Sequence, residues 1–221
     1  MKKRTNIITI AIDSPAAAGA GTVAKKLAKH YKLFYLDTGK LYRLIAKMKM
    51  SNKNISYRMI KFKIKKVKIA DLSKIELLNH KYAASASIIA RDIKIRKIVE
   101  NFQKICAYNP PKNFDGSILD GRDITSVIMK DAMFKFYITA NLKIRAKRRF
   151  MEFKKLKKKI SYNQVLKSLK KRDNFDKNRK HSPLKRTKDS ILINTTKLSK
   201  KACFLKIKEI IDKKLKINGN L

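Results

Sequence analysis

The sequence predicts an α/β domain in which helices cover both faces of a five-stranded parallel sheet. Short apolar runs rich in β-branched residues alternate along the chain with segments that have apolar residues at helical spacing. Apolar strands separated by helices are typical of a parallel sheet that is buried on both faces. The 221 residues, 44% of them hydrophobic, suffice for one such domain and exclude collagen-like and low-complexity chains.

The predicted strands and helices follow one another along the chain. The apolar runs predict strands over residues 6–12, 33–36, 117–119, 134–139 and 190–195. The helical spacing predicts helices over residues 22–31, 40–48, 83–105, 141–156, 161–173 and 199–215. Residues 61–69 alternate lysine with β-forming residues, which favours an exposed strand or an edge hairpin.

The charge is strongly positive, with 57 Lys+Arg against 16 Asp+Glu and a net charge of +41. Clustered cations would indicate nucleic acid, but here lysines are spread from end to end, so we expect a solvated surface and no specific nucleic-acid partner. No run approaches the roughly 20 apolar residues of a membrane span, and we expect a cytoplasmic monomer without membrane contact. Only twelve of the cations are arginines, which suggests that each marks a site needing a planar guanidinium fork.

The loop between the first strand and the first helix has the position and composition of a phosphate-binding loop. The pattern G-x-x-x-x-G-K-[ST] holds phosphates with backbone N–H groups and a helix N-terminus, and places Lys on the β- and γ-phosphates and Ser/Thr on Mg²⁺. In this chain Ser14 replaces the first glycine and Ala20 stands at the lysine position. The loop alone therefore leaves two interpretations open, a phosphate site and a turn of small residues. Its residues are Ser14, Pro15, Ala16, Ala17, Ala18, Gly19, Ala20, Gly21 and Thr22.

Four segments together resemble the bacterial cytidylate kinases, which are P-loop nucleoside monophosphate kinases. The stretch IAIDSPAAAGAGTVAKKLAKHYKLFYLDTGKLYR, from Ile10, is similar to the GPxxxGKGT and LDTGxLYR signature of that family. The stretch SILDGRDITSVIMKDA resembles its DGRDIGTV segment, and KKRDNFDKNRKHSPL resembles its RDxxDxxR segment. Asn194-Thr195-Thr196 is similar to its (D/N)TT turn, so the resemblance runs over most of the chain.

The resemblance implies a P-loop NTPase-type sheet with two smaller subdomains. The core would comprise residues 5–38, 91–144 and 185–221, the nucleoside monophosphate (NMP)-binding subdomain residues 39–90 and the lid residues 145–180. It also implies transfer of the γ-phosphoryl group of ATP, with Mg²⁺, to CMP or dCMP in pyrimidine nucleotide metabolism.

The resemblance further assigns residues to the two nucleotides. ATP would contact the loop residues 14–22 with Arg148 and Arg149, and Arg145 would share the lid with them. Thr22 and Asp120 would hold Mg²⁺. The catalytic residues would be Arg43, Arg122, Arg172 and Asp120. The residues around CMP would be Thr38, Arg43, Ser87, Arg96, Asp123, Arg172, Asp176 and Arg179.

The altered loop is compatible with activity, because phosphoryl transfer depends mainly on positioning and charge neutralisation. A hydrogen bond to a charged group contributes about 1.5–3 kcal/mol, less than one transition-state arginine can supply. We therefore expect an active kinase. Whether a nearby lysine, Lys25 or Lys40, replaces the missing ammonium stays open at the level of the sequence. Two alternatives stay open, a catalytically weakened nucleotide-binding protein and a basic RNA-binding protein on a kinase scaffold.

Overall fold

The structure is a computed structural model that describes residues 7–72, 77 and 80–217. Its centre is a single five-stranded sheet in which all neighbouring strands run parallel, in the order β2-β3-β1-β4-β5. The sheet confirms the predicted fold class. The strands are β1 (Ile8–Asp13), β2 (Leu33–Asp37), β3 (Gly116–Gly121), β4 (Phe134–Thr139) and β5 (Ile191–Asn194).

Helices cover both faces of the sheet. Helices α1 and α9 bury Leu27 and Ile207 against one face, while α2 and α6 bury Ile45 and Ile95 against the other. Helices α7 and α8 pack on each other and form a smaller core that touches Ala16. The helices are α1 (Ala20–His30), α2 (Thr38–Ser51), α3 (Tyr57–Lys65), α4 (Ile69–Leu72), α5 (His80–Ile89), α6 (Ile93–Tyr108), α7 (Leu142–Lys155), α8 (Tyr162–Asn178) and α9 (Lys200–Ile217), with a short π-helical turn at Ile124–Ile128.

The strand register gathers polar side chains at the carboxyl edge of the sheet. Asp13 at the end of β1 is opposite Gly121 of β3, and Asp37 at the end of β2 is opposite Asp120. Gly121 is required there, because a Cβ at this position would overlap with the hydroxyl of Thr38. Ligands of parallel sheets bind beyond this edge, which places these residues where a site is expected.

Residues 61–69 do not form the predicted strand or hairpin, and that prediction was wrong. They fall largely in α3, which buries Ile60 and Ile64, two residues four apart that lie on one helical face. Ser56 caps this helix by accepting a hydrogen bond from the backbone N–H of Met59 (3.2 Å). Burial of one helical stripe therefore outweighs the β-preference of the alternating residues.

The predicted long helix over residues 83–105 is in fact two helices, α5 and α6. The break lies at residues 90–92, where the Asp92 side chain accepts hydrogen bonds from the N–H groups of Lys94 and Ile95 and caps α6. Helix α8 continues five residues beyond the predicted end at residue 173, which places Asp176 on the helix. The predicted subdomain boundaries stay a prediction.

Within residues 7–72, 77 and 80–217, no helix is both long enough and apolar enough to cross a lipid bilayer.

Candidate active site

The loop after β1 has a tightly folded backbone. Gly19 and Ala17 adopt left-handed conformations with φ of +95° and +62°, which turn the chain sharply before α1. The N–H of Ser14 donates to the carbonyl of Gly121 (3.1 Å), and the hydroxyl of Thr195 donates to the carbonyl of Ala18 (2.9 Å). The loop is thus fixed against β3 and the end of β5, in front of the N-terminus of α1.

The arginines of α7, which the resemblance assigns to a lid, are unequally available. Arg145 is buried and donates to the carbonyls of Ala16 (3.1 Å) and Ala140 (2.8 Å) and to the carboxylate of Asp173 (2.6 Å). Its donors hold the loop, α7 and α8 together, and its expected place on the lid stays a prediction. Arg148 instead donates to the carbonyl of Thr195 (2.6 Å) and lines a cavity.

That cavity, the loop cavity, has a volume of about 530 Å³ and lies between the loop, α7 and the start of α9. Of the residues predicted to contact ATP, it is lined by Ala17, Ala18, Gly19, Thr22 and Arg148.

A smaller cavity of about 100 Å³, the arginine cavity, lies at the carboxyl end of β3. Two carboxylates and four guanidinium groups line this small cavity. Its lining includes Ala16, Ala17, Asp37, Gly39, Arg43, Asp120, Gly121, Arg122, Arg149 and Arg172. The structure thus brings together all four predicted catalytic residues.

Two of these arginines have unused donors. Arg43 donates from Nη1 to the carbonyl of Leu77 (3.2 Å), yet its buried Nε has no hydrogen-bond partner among the described residues. The buried Nε of Arg172 likewise makes no hydrogen bond with a described residue, although it lies 3.8 Å from Asp176 Oδ2. Buried N–H groups are normally paired, so these donors indicate an anion as their partner.

The charges of the arginine cavity perturb one another. Burial, followed by repulsion from Arg122, lowers the pKa of Arg172 to about 9. Burial also acts against the charged form of Asp176, but Arg122 and Arg172 outweigh it and lower the pKa of that carboxyl group. Arg122 donates from Nε to Asp176 (2.8 Å). The excess of buried positive charge favours a phosphate ligand.

The carboxylates face each other at the same edge. Burial raises the pKa of Asp120 well above its ordinary value, and the neighbouring Asp37 raises it further. The hydroxyl of Tyr35 donates to Asp120 (3.3 Å). A Cβ at Gly21 would lie 3.1 Å from Asp120 Oδ2, so the first turn of α1 directly faces this carboxylate.

A third cavity of about 280 Å³, the α5–α8 cavity, is lined by Ser87, Phe175, Arg149 and Arg172. The Ser87 hydroxyl donates to the carbonyl of Ala84 (2.8 Å) within its own helix.

The other residues predicted to bind CMP form a buried ionic cluster. Arg96 pairs with the carboxylate of Asp123, and Arg179 Nη2 lies 3.7 Å from the same carboxylate. Arg179 Nη2 makes no hydrogen bond among the described residues, although it is buried. Thr38 lies beside this edge and donates to the carbonyl of Asp120 (2.8 Å).

Two residues that the sequence analysis missed are Asp37 and Asp13. Asp13 is fully buried and accepts hydrogen bonds from the N–H groups of Ile124 (2.7 Å) and Thr125 (2.9 Å) and from the Thr125 hydroxyl (2.6 Å). It therefore fixes the turn that follows Asp123. A signal for both was present in the sequence, because Asp13 and Asp37 each stand directly after an apolar run that was predicted as a strand.

The sheet, the strand–loop–helix unit and the phosphate-suited cavities beyond the sheet edge define a P-loop kinase of the α/β class. The sequence model of the cytidylate kinase family matches residues 10–214, and this chain belongs to the cytidylate kinase family.

Relatives match over almost the whole chain. A cytidylate kinase of Bartonella tribocorum is 40% identical over 212 residues, which cover 95% of this chain and 96% of the relative. A cytidylate kinase of Clostridium tetani is 37% identical over 222 residues, covering 93% of this chain and 91% of the relative. A crystal structure of an uncharacterized protein from Eubacterium ventriosum superposes with a TM-score of 0.54 at 20% identity, covering 93% and 98% of the two chains, which supports the fold.

Proposed function

We propose that this chain transfers the γ-phosphoryl group of ATP to CMP or dCMP, giving ADP and CDP or dCDP. The main observation behind the proposal is that the three cavities adjoin one another in a row. Ala17 lines both the loop cavity and the arginine cavity, while Arg149 and Arg172 line both the arginine cavity and the α5–α8 cavity. This arrangement suits two nucleotides whose phosphates meet among the arginines. The relatives named cytidylate kinase support cytidine nucleotides as acceptors.

In this reaction the bond between the γ-phosphorus and the β,γ-bridging oxygen of ATP breaks. A bond forms between the same phosphorus and a phosphate oxygen of CMP. The transfer needs little covalent help from the protein and depends on alignment and charge neutralisation. We assign these tasks to Arg43, Arg122 and Arg172, since the Nε groups of Arg43 and Arg172 make no hydrogen bond with the described residues and offer donors to phosphate oxygens.

The residues at the sheet edge also fit Mg²⁺ that accompanies ATP. Asp37 and Asp120 present two carboxylates at the ends of adjacent strands, and Mg²⁺ prefers oxygen ligands of this kind. Burial and the neighbouring Asp37 raise the pKa of Asp120, and a cation bound beside both carboxylates would act against this rise. Bound there, the ion would neutralise charge on the β- and γ-phosphates. Thr22 lines the loop cavity, so we place its hydroxyl on the ATP side.

We assign the cytosine base to the cluster around Asp123. A carboxylate accepts from the exocyclic amine of cytosine, a donor that uracil lacks. Burial raises the pKa of Asp123, whereas the adjacent guanidinium groups of Arg96 and Arg179 act in the opposite direction and favour its ionised, accepting form. We place Ser87 and Asp176 beside the base and the ribose, because Ser87 lines the α5–α8 cavity and Asp176 contacts Arg122 and Arg172 at its margin.

The test is a coupled assay of ADP release with ATP and, separately, CMP, dCMP, UMP or AMP. We expect turnover with CMP and dCMP, and at least a tenfold lower kcat/KM with UMP, because a hydrogen bond to a charged group is lost. The variant Arg172→Ala should lose about a thousandfold in kcat, whereas Arg58→Ala, which removes an exposed guanidinium on α3, should retain full activity.

Absence of turnover with CMP at millimolar concentrations of both substrates would refute the proposal. Binding of ATP and CMP without turnover would support the catalytically weakened alternative. Binding of RNA that persists in 200 mM salt would support the RNA-binding alternative, because non-specific attraction weakens steeply between about 50 and 200 mM salt.

A further inference from the structure

The phosphate-binding loop lacks its ammonium group. Ala20, the first residue of α1, stands at the position where the pattern has lysine, and its side chain is buried. The nearby lid arginines are already engaged, since Arg145 bonds two carbonyls and a carboxylate and Arg148 bonds Thr195. These two arginines are therefore not free to replace the missing ammonium, and another cation near the loop is the better candidate.

Lys40 is adjacent in the chain to a residue that lines the arginine cavity. It belongs to the first turn of α2 and follows Gly39, which lines that cavity together with Ala16 and Ala17 of the loop. Three charged residues that line the cavity influence the pKa of Lys40. Asp37 and Asp120 raise it, and Arg43 lowers it.

The Lys40 ammonium is available for a ligand. Its side chain is half-buried, and it makes no hydrogen bond or ion pair with any residue in the described part of the chain. A lysine that is partly removed from water interacts more strongly with a phosphate than a fully hydrated one does, because the local dielectric constant is lower.

Lys25 is the competing candidate. It lies on α1 one turn beyond Gly21, whose position faces Asp120, and its charge also acts on Asp120. Lys25 is exposed, however, so water screens its charge more effectively than that of Lys40. The flexible side chain of lysine allows either ammonium group to move. Because Lys40 is the more buried of the two, it is the stronger candidate for a phosphate contact.

We propose that Lys40 is a catalytic residue whose ammonium binds the γ-phosphate of ATP in place of the lysine that is absent at position 20. The inference rests on the proposed function, because it assigns a contact to the transferred phosphoryl group. Its role is electrostatic, with no covalent step. A lysine restored at position 20 and Lys40 should therefore be interchangeable.

The experiment compares wild type with Lys40→Ala, Ala20→Lys and the double variant Ala20→Lys/Lys40→Ala. Lys40→Ala should lower kcat/KM for ATP about ten- to a hundredfold, as expected for a lost hydrogen bond to a charged group. The apparent KM for CMP should change less than threefold. The double variant should recover to within about threefold of wild type, and Ala20→Lys alone should gain little.

Two further variants serve as comparisons. Lys26→Ala removes an exposed lysine on the same helix as Lys25 and should leave activity unchanged. Lys25→Ala tests the competing candidate. The proposal is overturned if Lys40→Ala stays within threefold of wild type, if Ala20→Lys does not rescue it, or if Lys25→Ala shows the rescuable loss instead. Circular dichroism checks that each variant is folded.

Binding separates this inference from the proposed function. The affinity of each variant for ATP, measured calorimetrically without CMP, should fall at least tenfold in Lys40→Ala and return in the double variant. A wild-type protein that turns over no CMP refutes the proposed function, and the binding series then decides on Lys40 alone. Equal ATP affinity across the series would overturn the Lys40 assignment.

Discussion

The buried carboxylate of Asp13 gives the protein a pH-dependent stability that one substitution should remove. Burial raises the pKa of Asp13 to about 6, against an ordinary value of 3.8. The folded state therefore holds a proton on Asp13 between these two values, where the unfolded state does not. Since stability falls with rising pH wherever the folded state binds more protons, Asp13 makes the protein less stable as the pH rises from about 4 to about 6.

The size of this effect follows from the shift. A difference of about 2.2 pKa units corresponds to about 3 kcal/mol, of which about 2 kcal/mol falls between pH 4 and pH 7. Asp13→Asn cannot ionise, and its amide nitrogen must face one of the donors from Ile124 or Thr125. We therefore expect Asp13→Asn to lower the free energy of unfolding at both pH values. The loss should be about 1–3 kcal/mol larger at pH 4 than at pH 7.

The measurement is urea unfolding of wild type and Asp13→Asn at pH 4, 5, 6 and 7. All other titrating groups are common to both proteins, so their difference isolates Asp13. Asp115→Asn, which changes an exposed carboxyl group just before β3, serves as the comparison for the loss of a carboxylate at the surface. The reasoning would be refuted if the difference in free energy of unfolding between wild type and Asp13→Asn were constant from pH 4 to pH 7, or if it grew with pH.

Three other predictions concern the loop, the lid and the proposed lysine. Gly19→Ala should lower the free energy of unfolding by about 1–2 kcal/mol because its φ is +95°, while Ala17→Gly at φ +62° should leave it unchanged or raise it by up to about 1 kcal/mol, both measured by urea unfolding. Arg145→Ala should cost about 3–5 kcal/mol in the same assay, because it leaves the Asp173 carboxylate without its buried partner. Burial lowers the pKa of Lys40 in the free protein, so kcat/KM for ATP should decline on the alkaline side below the ordinary lysine range near pH 10.4, and Lys40→Arg should move that decline upward in a pH–rate profile.

The sequence predicted the sheet well because a parallel sheet leaves a direct signal. Strands buried on both faces must be apolar throughout, as in β1, and each is followed by a segment with helical spacing. The segment around Ile60 and Ile64 failed because those residues fit a strand and a helical face equally well. Only the packing of α3 against α6 decides between the two, and that contact lies between distant parts of the chain.

The candidate site was predictable where a motif states the residue and its place. Segments such as DGRDI identified Asp120 and Arg122, which both line the arginine cavity. The sequence did not reveal the direction in which a side chain points, so it did not show that Arg145 on α7 bonds Asp173 on α8. Asp13 was missed for the same reason, since its partners lie more than 100 residues away in the chain.

The distribution of arginine and lysine explains why counting arginines located the site. Eight of the eleven described arginines are buried or half-buried, and these are the eight that the sequence analysis placed at the site or the lid. The other three, Arg58, Arg91 and Arg186, are exposed, and no lysine among the described residues is buried. A guanidinium group is less strongly hydrated than an ammonium and keeps its charge when buried, so it is the cation that tolerates a cavity. Lysine at this site is therefore the exception, and Lys40 is half-buried where the altered loop requires a compact positive charge.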